Sequence, residues 1–301
     1  MIRRLCESRK APLLPALIST VLCLPALRTG FFVDDWVHRL KILGAPGWET
    51  GLHPALEMFS FMKPGATNDL LISKGILPWY SHPEVRAALF RPLSSMTHVL
   101  DWRVFGDAAV MHHLHSLAWW FLGALFVGLL LRRSVGGTAA GLAALLYVLD
   151  AHAMPIAWVA NRNALICLAF GAATVWTLIR WREGRGSLLL PWTLAGVGLL
   201  AGEATLGGLA YVVAWQLTED RPWKERLLPL APYTLLVLGW RALYSHLGYG
   251  AAGSGLYIDP ARQPLDFLQA VVERGPILML AQTFQVPVDL WILCPDRPTS
   301  P

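Results

Sequence analysis

The residues of this chain suited to acid–base and anion chemistry are few. They are the pair Asp34-Asp35, Arg91 at the head of RPLSSMTHVLDWRVF, His112, His113 and His115, Asp150 with His152, Arg162 and Glu203. A carboxylate can take a proton from an attacking hydroxyl or amine. A guanidinium can hold a phosphate through two parallel hydrogen bonds. His112 and His115 share one helix face, which suits a metal, but no acidic residue stands close by in sequence and no metal is assigned. Plainer roles compete for each. Asp34-Asp35 also reads as a solvated helix end, Asp150 and His152 as a loop pair, and Glu203 as a hydrogen-bonding group inside a bundle.

What surrounds these residues is apolar. The 301-residue chain is 55% hydrophobic and 15% charged, with a mean hydropathy of +0.46. Average globular domains are about 45–50% apolar and about 25% charged. That excludes a disordered chain and an ordinary soluble enzyme. The formal charge of +5 invites a nucleic-acid reading. It is rejected, because the basic residues lie in short clusters between apolar runs, as membrane topology requires. Of the four cysteines, Cys23 and Cys167 fall within apolar runs, and Cys6 and Cys294 lie near the chain ends. Their spacing fits no metal or disulfide framework, so free thiols are expected.

A membrane-crossing helix needs about 20 mostly apolar residues. Apolar runs cover residues 11–27, 116–131, 134–149, 163–179, 186–218, 228–247 and 275–293. As one helix, 186–218 would extend to about 48 Å, too long for a hydrocarbon core of about 30 Å. It is read as a hairpin turning at Ala201-Gly202-Glu203. The expected fold is therefore all-α, a single polytopic bundle over residues 1–301 with about eight transmembrane helices. The basic start, Arg132-Arg133, Arg180–Arg185 and Arg221/Lys224/Arg226 then share one side, which the positive-inside rule makes cytoplasmic, N-terminus included. The other side receives a long outer (periplasmic) loop, 29–112. Within it, 91–105 repeats apolar residues at Leu93, Met96, Leu100 and Val104. That near-helical spacing, with Pro92 in the first turn, predicts an amphipathic surface helix. Under this topology the scarce acid, imidazole and guanidinium groups gather in one outer layer.

Four segments carry a resemblance. They are GFFVDDW at 30–36, FRPLSSMTHVLDWRVFGDAAVMHHLHSL at 90–117, LYVLDAHAMPIAWVANRNAL at 146–165 and LLAGEATLGGLAY at 199–211. In order and spacing they resemble the GT-C superfamily of polytopic glycosyltransferases, above all its protein O-mannosyltransferase-like members. The resemblance covers most of residues 28–260. It implies transfer of a monosaccharide from a polyprenyl-phosphate-linked donor to a protein or glycan acceptor, on the outer face of the inner (plasma) membrane. It implies Asp34 or Asp35 as the catalytic base. Arg91, His113, His152, Arg162 and Glu203 would line the donor pocket. No cofactor and no nucleic-acid partner are expected. Two alternatives stay open: a non-catalytic or truncated GT-C-like protein, and a lipid-linked glycan transporter using Arg241 and Asp289 along its path.

Overall fold

The computed structural model describes residues 11–45, 48, 53–149, 153–253, 258–260 and 263–284. They are mostly helical, which fits the all-α expectation. The bundle is built from α1 (Leu13–Leu22), α6 (Ala109–Ser134), α7 (Gly137–Leu149), α9 (Arg162–Arg182), α10 (Leu189–Ala201), α11 (Thr205–Thr218) and α13 (Ala231–His246), with the short α8 (Ala153–Ala157) and α12 (Trp223–Leu227) in the connections. Among the described residues, three stretches are long and apolar enough to cross a membrane: Ala109–Ser134, Val159–Arg182 and Trp223–His246. Shorter apolar helices cover Leu13–Arg28, Gly137–Leu149 and Leu189–Ala201. The run 186–218 does break, at Gly202–Ala204, because α10 ends at Ala201 and α11 begins at Thr205. The last run is described only as far as α14 (Pro264–Phe284); Asp289 lies outside the described residues.

Helix α9 is the hub, packed against α6, α10 and α11. Small residues permit that density. A Cβ added at Gly208 of α11 would stand 2.6 Å from the Gly171 Cα of α9, so the two backbones touch where neither residue has a side chain. Val175, Leu178, Ile179, Leu199 and Val212 fill the core between α9, α10 and α11. Ala16, Leu117, Trp120 and Leu165 close a second core around α1 and α6.

The described residues between 29 and 108 fold over one end of the bundle. They supply α2 (Asp34–Ile42), the short α3 (Pro54–Glu57), α4 (Ala66–Ser73) and α5 (Pro92–Phe105). They also supply two strands, β1 (Ser60–Met62) and β2 (Arg86–Ala88). With β3 (Gly250–Ala252) these form a small antiparallel sheet in the order β1-β2-β3. Three-residue strands separated by long connections leave no alternating pattern long enough to read from sequence. A buried lysine ties this layer together. Lys41 Nζ donates to the carbonyls of Glu57 and Met58 at 3.1 Å, and to that of Ser60. Three donors meet three acceptors, and burial pushes the ammonium down to about 8.

Helix α5 occupies the segment expected to be amphipathic. Its polar face turns inward: Ser94, Ser95, Thr97, His98 and Asp101 are buried, while Met96, Leu100 and Val104 are exposed. A helix in water presents the opposite arrangement.

Arg132, Arg133, Arg180 and Arg182 lie at the far end from this layer, in the last turns of α6 and α9. Arg133 at the end of α6 pairs with Glu183 just past α9. Arg182 of α9 pairs with Glu219 at 3.1 Å and donates to Gln216 Oε1 at 2.6 Å. The C-terminal ends of α6, α9 and α11 are thus cross-linked by charge, and their other ends meet the polar layer.

Candidate active site

The entry to α2 is strained. Val33 has φ +41°, a left-handed conformation that a β-branched side chain resists. Such a residue costs about 1–3 kcal/mol and persists only where its surroundings enforce it. Asp35 is what enforces it. Its buried carboxylate accepts from Phe32 N at 2.8 Å and from Ala160 N at 2.5 Å, tying the turn to the 3-10 segment Val159–Asn161. Burial raises its pKa, against the pull of those two N–H groups. Asp34, one residue earlier, is only half-buried and lies on the wall of a cavity. Burial raises its pKa too, with Lys41 opposing.

That cavity encloses about 230 Å³ between Asp34, Phe59, Phe61, Leu89, Arg91, Trp158, Ala160, Asn161 and Asn163. Arg91 caps α5 and enters it held on two edges. Its Nε donates to Glu203 Oε2 at 2.8 Å. The neighbours of Asn163 assign its amide: with Oδ1 turned toward the donors it accepts from Arg91 Nη1 at 3.2 Å and from Ala164 N at 3.2 Å, and Nδ2 donates to Ala160 O at 3.3 Å. The guanidinium lies 5.1 Å over the Phe59 ring. Among the described residues none accepts from Nη2. Glu203, in the α10–α11 turn, is fixed from behind by Tyr244 of α13, whose hydroxyl donates to Oε1 at 3.0 Å. A chain of hydrogen bonds therefore runs from Tyr244 through Glu203, Arg91 and Asn163 to Ala160 and Asp35, around one side of the cavity. Trp158 also lines the wall, and its indole N–H is buried with no partner among the described residues.

Other residues singled out in the sequence lie elsewhere. Arg162 is not on this wall. It is wholly buried at the start of α9, pairs with Asp101 Oδ2 at 2.6 Å, and donates to Ser116 Oγ and His112 O. His115 bonds the other Asp101 oxygen at 2.7 Å. Burial opposes ionisation of Asp101, but the His115 hydrogen bond and the Arg162 charge outweigh it and hold the carboxyl below its usual range. His113 is fully buried too. Its Nε2 bonds Gly30 O at 2.8 Å and so anchors the chain just before the strained turn. His112 bonds Gly106 O at 3.0 Å and packs edge-on to Phe31 and Trp102. Among the described residues no group of three His, Cys, Asp or Glu could hold a metal ion. His152 and Asp150 lie outside the described residues. Arg241 Nη2 donates to both carboxylate oxygens of Asp259, at 3.1 and 3.2 Å.

Behind the aromatic wall lie two imidazoles that the sequence did not mark. His38 of α2 and His98 of α5 are fully enclosed, 4.9 Å apart between ring centres, and none of their four nitrogens has a hydrogen-bond partner among the described residues. His38 also packs edge-on to Phe59 at 4.9 Å. Burial, with the charges of Lys41, Arg162 and Arg91, holds His38 well below its usual range; His98 is lowered by burial and by Arg162. Their pKa values are depressed on folding, so only the unfolded chain takes up protons as pH falls below about 6.5. Stability should therefore drop by up to about 2.7 kcal/mol per pH unit for the two groups between about pH 6.5 and 5. Melting temperatures across that interval measure it, with the His38→Leu/His98→Leu double variant as control. An equal slope in the double variant would sink the assignment.

Sequence reasoning missed Asn163, Tyr244, Trp158 and Phe59. Asn163 had a weak signal, since it adjoins Arg162; Tyr244 and Phe59 had none, because aromatic residues abound in apolar segments. No family model, no curated protein and no solved structure matches this chain.

Proposed function

We propose that this protein is a membrane glycosyltransferase of the GT-C type. It moves a monosaccharide from a polyprenyl-phosphate donor to a protein or glycan acceptor in the cavity between Asp34 and Arg91. The observation that carries the reading is a half-buried carboxylate and a guanidinium on the walls of one cavity, among aromatic rings and two asparagine amides. Aromatic faces suit the C–H faces of a sugar ring. The Asn161 and Asn163 amides suit its hydroxyls.

Asp34 takes the proton of the acceptor hydroxyl or amine. The acceptor atom attacks the anomeric carbon, and the bond from that carbon to the phosphate oxygen breaks with its electron pair leaving on the lipid phosphate. The anomeric centre inverts. Arg91 faces the charge that develops on the leaving phosphate. A carboxylate whose pKa is raised by burial is the better base for this step. Asp35 holds the turn that presents Asp34, and Glu203 and Tyr244 hold Arg91.

The lipid setting rests on exposure. Leu142, Leu146, Leu235 and Leu238 stand out from the bundle, and Met96, Leu100 and Val104 stand out from α5. Large apolar exteriors mark a surface covered by something other than water. The 26 residues of α6 rise about 39 Å, enough to separate the Arg133 end from the His112 end by a bilayer core of about 30 Å. The full arrangement has about eight spans, a cytoplasmic N-terminus in the inner membrane and the layer 29–112 outside. The test is reconstitution of the purified full chain in liposomes with polyprenyl-phosphate mannose and an acceptor peptide or glycan. The expected result is release of polyprenyl phosphate coupled to glycosylation. A bound donor that is never cleaved, with any polyprenyl-phosphate hexose, would overturn the reading.

A further inference from the structure

Every charged residue on the cavity wall has a reason to be charged; Asn163 is notable for being neutral. It is buried, borders the cavity, and its Oδ1 lies 3.2 Å from Arg91 Nη1. Arg91 already has one carboxylate partner in Glu203 at 2.8 Å, and Asp34 adds a carboxylate on the same cavity. A second carboxylate on the guanidinium would set two acids on the wall, with Glu203 behind it, against the single base Arg91, in a site partly shielded from water, where like charges repel strongly. The amide does the geometric work of a carboxylate without that charge. It accepts from Nη1 and donates to Ala160 O, and Nη2 of Arg91 is left without an acceptor among the described residues.

We propose that Asn163 sets the charge selectivity of this cavity: its neutral amide orients Arg91 while leaving the guanidinium able to bind the phosphate of a lipid-linked ligand. Asn163 is a positioning and specificity residue. This deepens the reading of Arg91 as the phosphate-binding group and rests on it.

The experiment measures binding of radiolabelled undecaprenyl phosphate and of uncharged undecaprenol to the full chain in nanodiscs. Wild type, N163D and N163D/E203Q are compared. Wild type should prefer the phosphate. N163D, nearly isosteric, should bind the phosphate about 10-fold or more weakly while its binding of undecaprenol is unchanged. N163D/E203Q, again with one carboxylate on Arg91, should regain most of the loss. If wild type shows no preference for the phosphate, the role of Arg91 falls and this inference falls with it. If N163D keeps the wild-type preference, only the role of Asn163 is overturned. If N163D loses both lipids alike and the double variant does not recover, Asn163 is merely structural and the proposal is wrong.

Discussion

Asp34→Asn should abolish sugar transfer, by about 10³-fold or more, while the protein folds and inserts normally. General-base catalysis typically contributes about 10²–10⁴-fold, and an amide cannot accept the acceptor's proton. The substitution is nearly isosteric, and Asp34 is only half-buried, so little stability should change. Asp35→Asn separates the two neighbours. Asp35 uses both oxygens on backbone N–H groups, Phe32 at 2.8 Å and Ala160 at 2.5 Å. An amide offers one acceptor in place of two and turns its NH₂ toward a donor. The cost is about 1–3 kcal/mol, read as a lower melting temperature, with transfer lost in proportion to the strained turn at Val33. Equal activity loss and equal melting loss in both variants would refute the division of roles. Full transfer by Asp34→Asn would refute the base assignment outright.

The second large effect is in stability. Breaking the Arg162–Asp101 pair from either side should cost about 3–5 kcal/mol, because it strands a buried charge. Arg162 is completely enclosed, and Asp101 nearly so. Each has further partners that would lose theirs: Ser116 and His112 O on one side, His115 on the other. Asp101→Ala and Arg162→Ala should each lower the yield of folded protein and the denaturant midpoint in detergent. Replacing both with apolar residues of similar volume should cost less than either single change, since no uncompensated ion is left. If the double replacement is as damaging as the sum of the two singles, the pair is not the reason Arg162 is buried.

The two predictions separate two arginines that sequence could not distinguish. Arg91 and Arg162 both stand beside apolar runs at the same end of the bundle, and both suit a phosphate. Which one faces the cavity depends on where Asp101 lands. Asp101 sits on the inward face of α5, opposite Met96, Leu100 and Val104, and it engages Arg162 within the protein. Arg91, at the head of the same helix, is hydrogen-bonded among the described residues to Glu203 and Asn163, lies over Phe59, and lines the cavity. His113 is a similar case, because its burial against Gly30 O makes it an anchor of the strained turn.

The helices themselves were legible in the amino acids. Long apolar runs, interrupted by basic clusters and by Gly202, mark helices α6, α9, α10 and α13 through composition alone, since a helix satisfies its own backbone and needs only an apolar exterior. The polar inventory was legible for the same reason: in so apolar a chain, a charged residue is scarce enough to count. What composition leaves undetermined is direction. Asp34 and Asp35 are adjacent, yet on a helix adjacent side chains point about 100° apart, and which one meets backbone N–H groups depends on Ala160, a residue remote in sequence. The sheet joining β2 to β3, the histidine pair behind Phe59, and the closure of Glu203 by Tyr244 are likewise long-range. They arise when segments from distant parts of the chain come within hydrogen-bonding distance, and no local pattern records that.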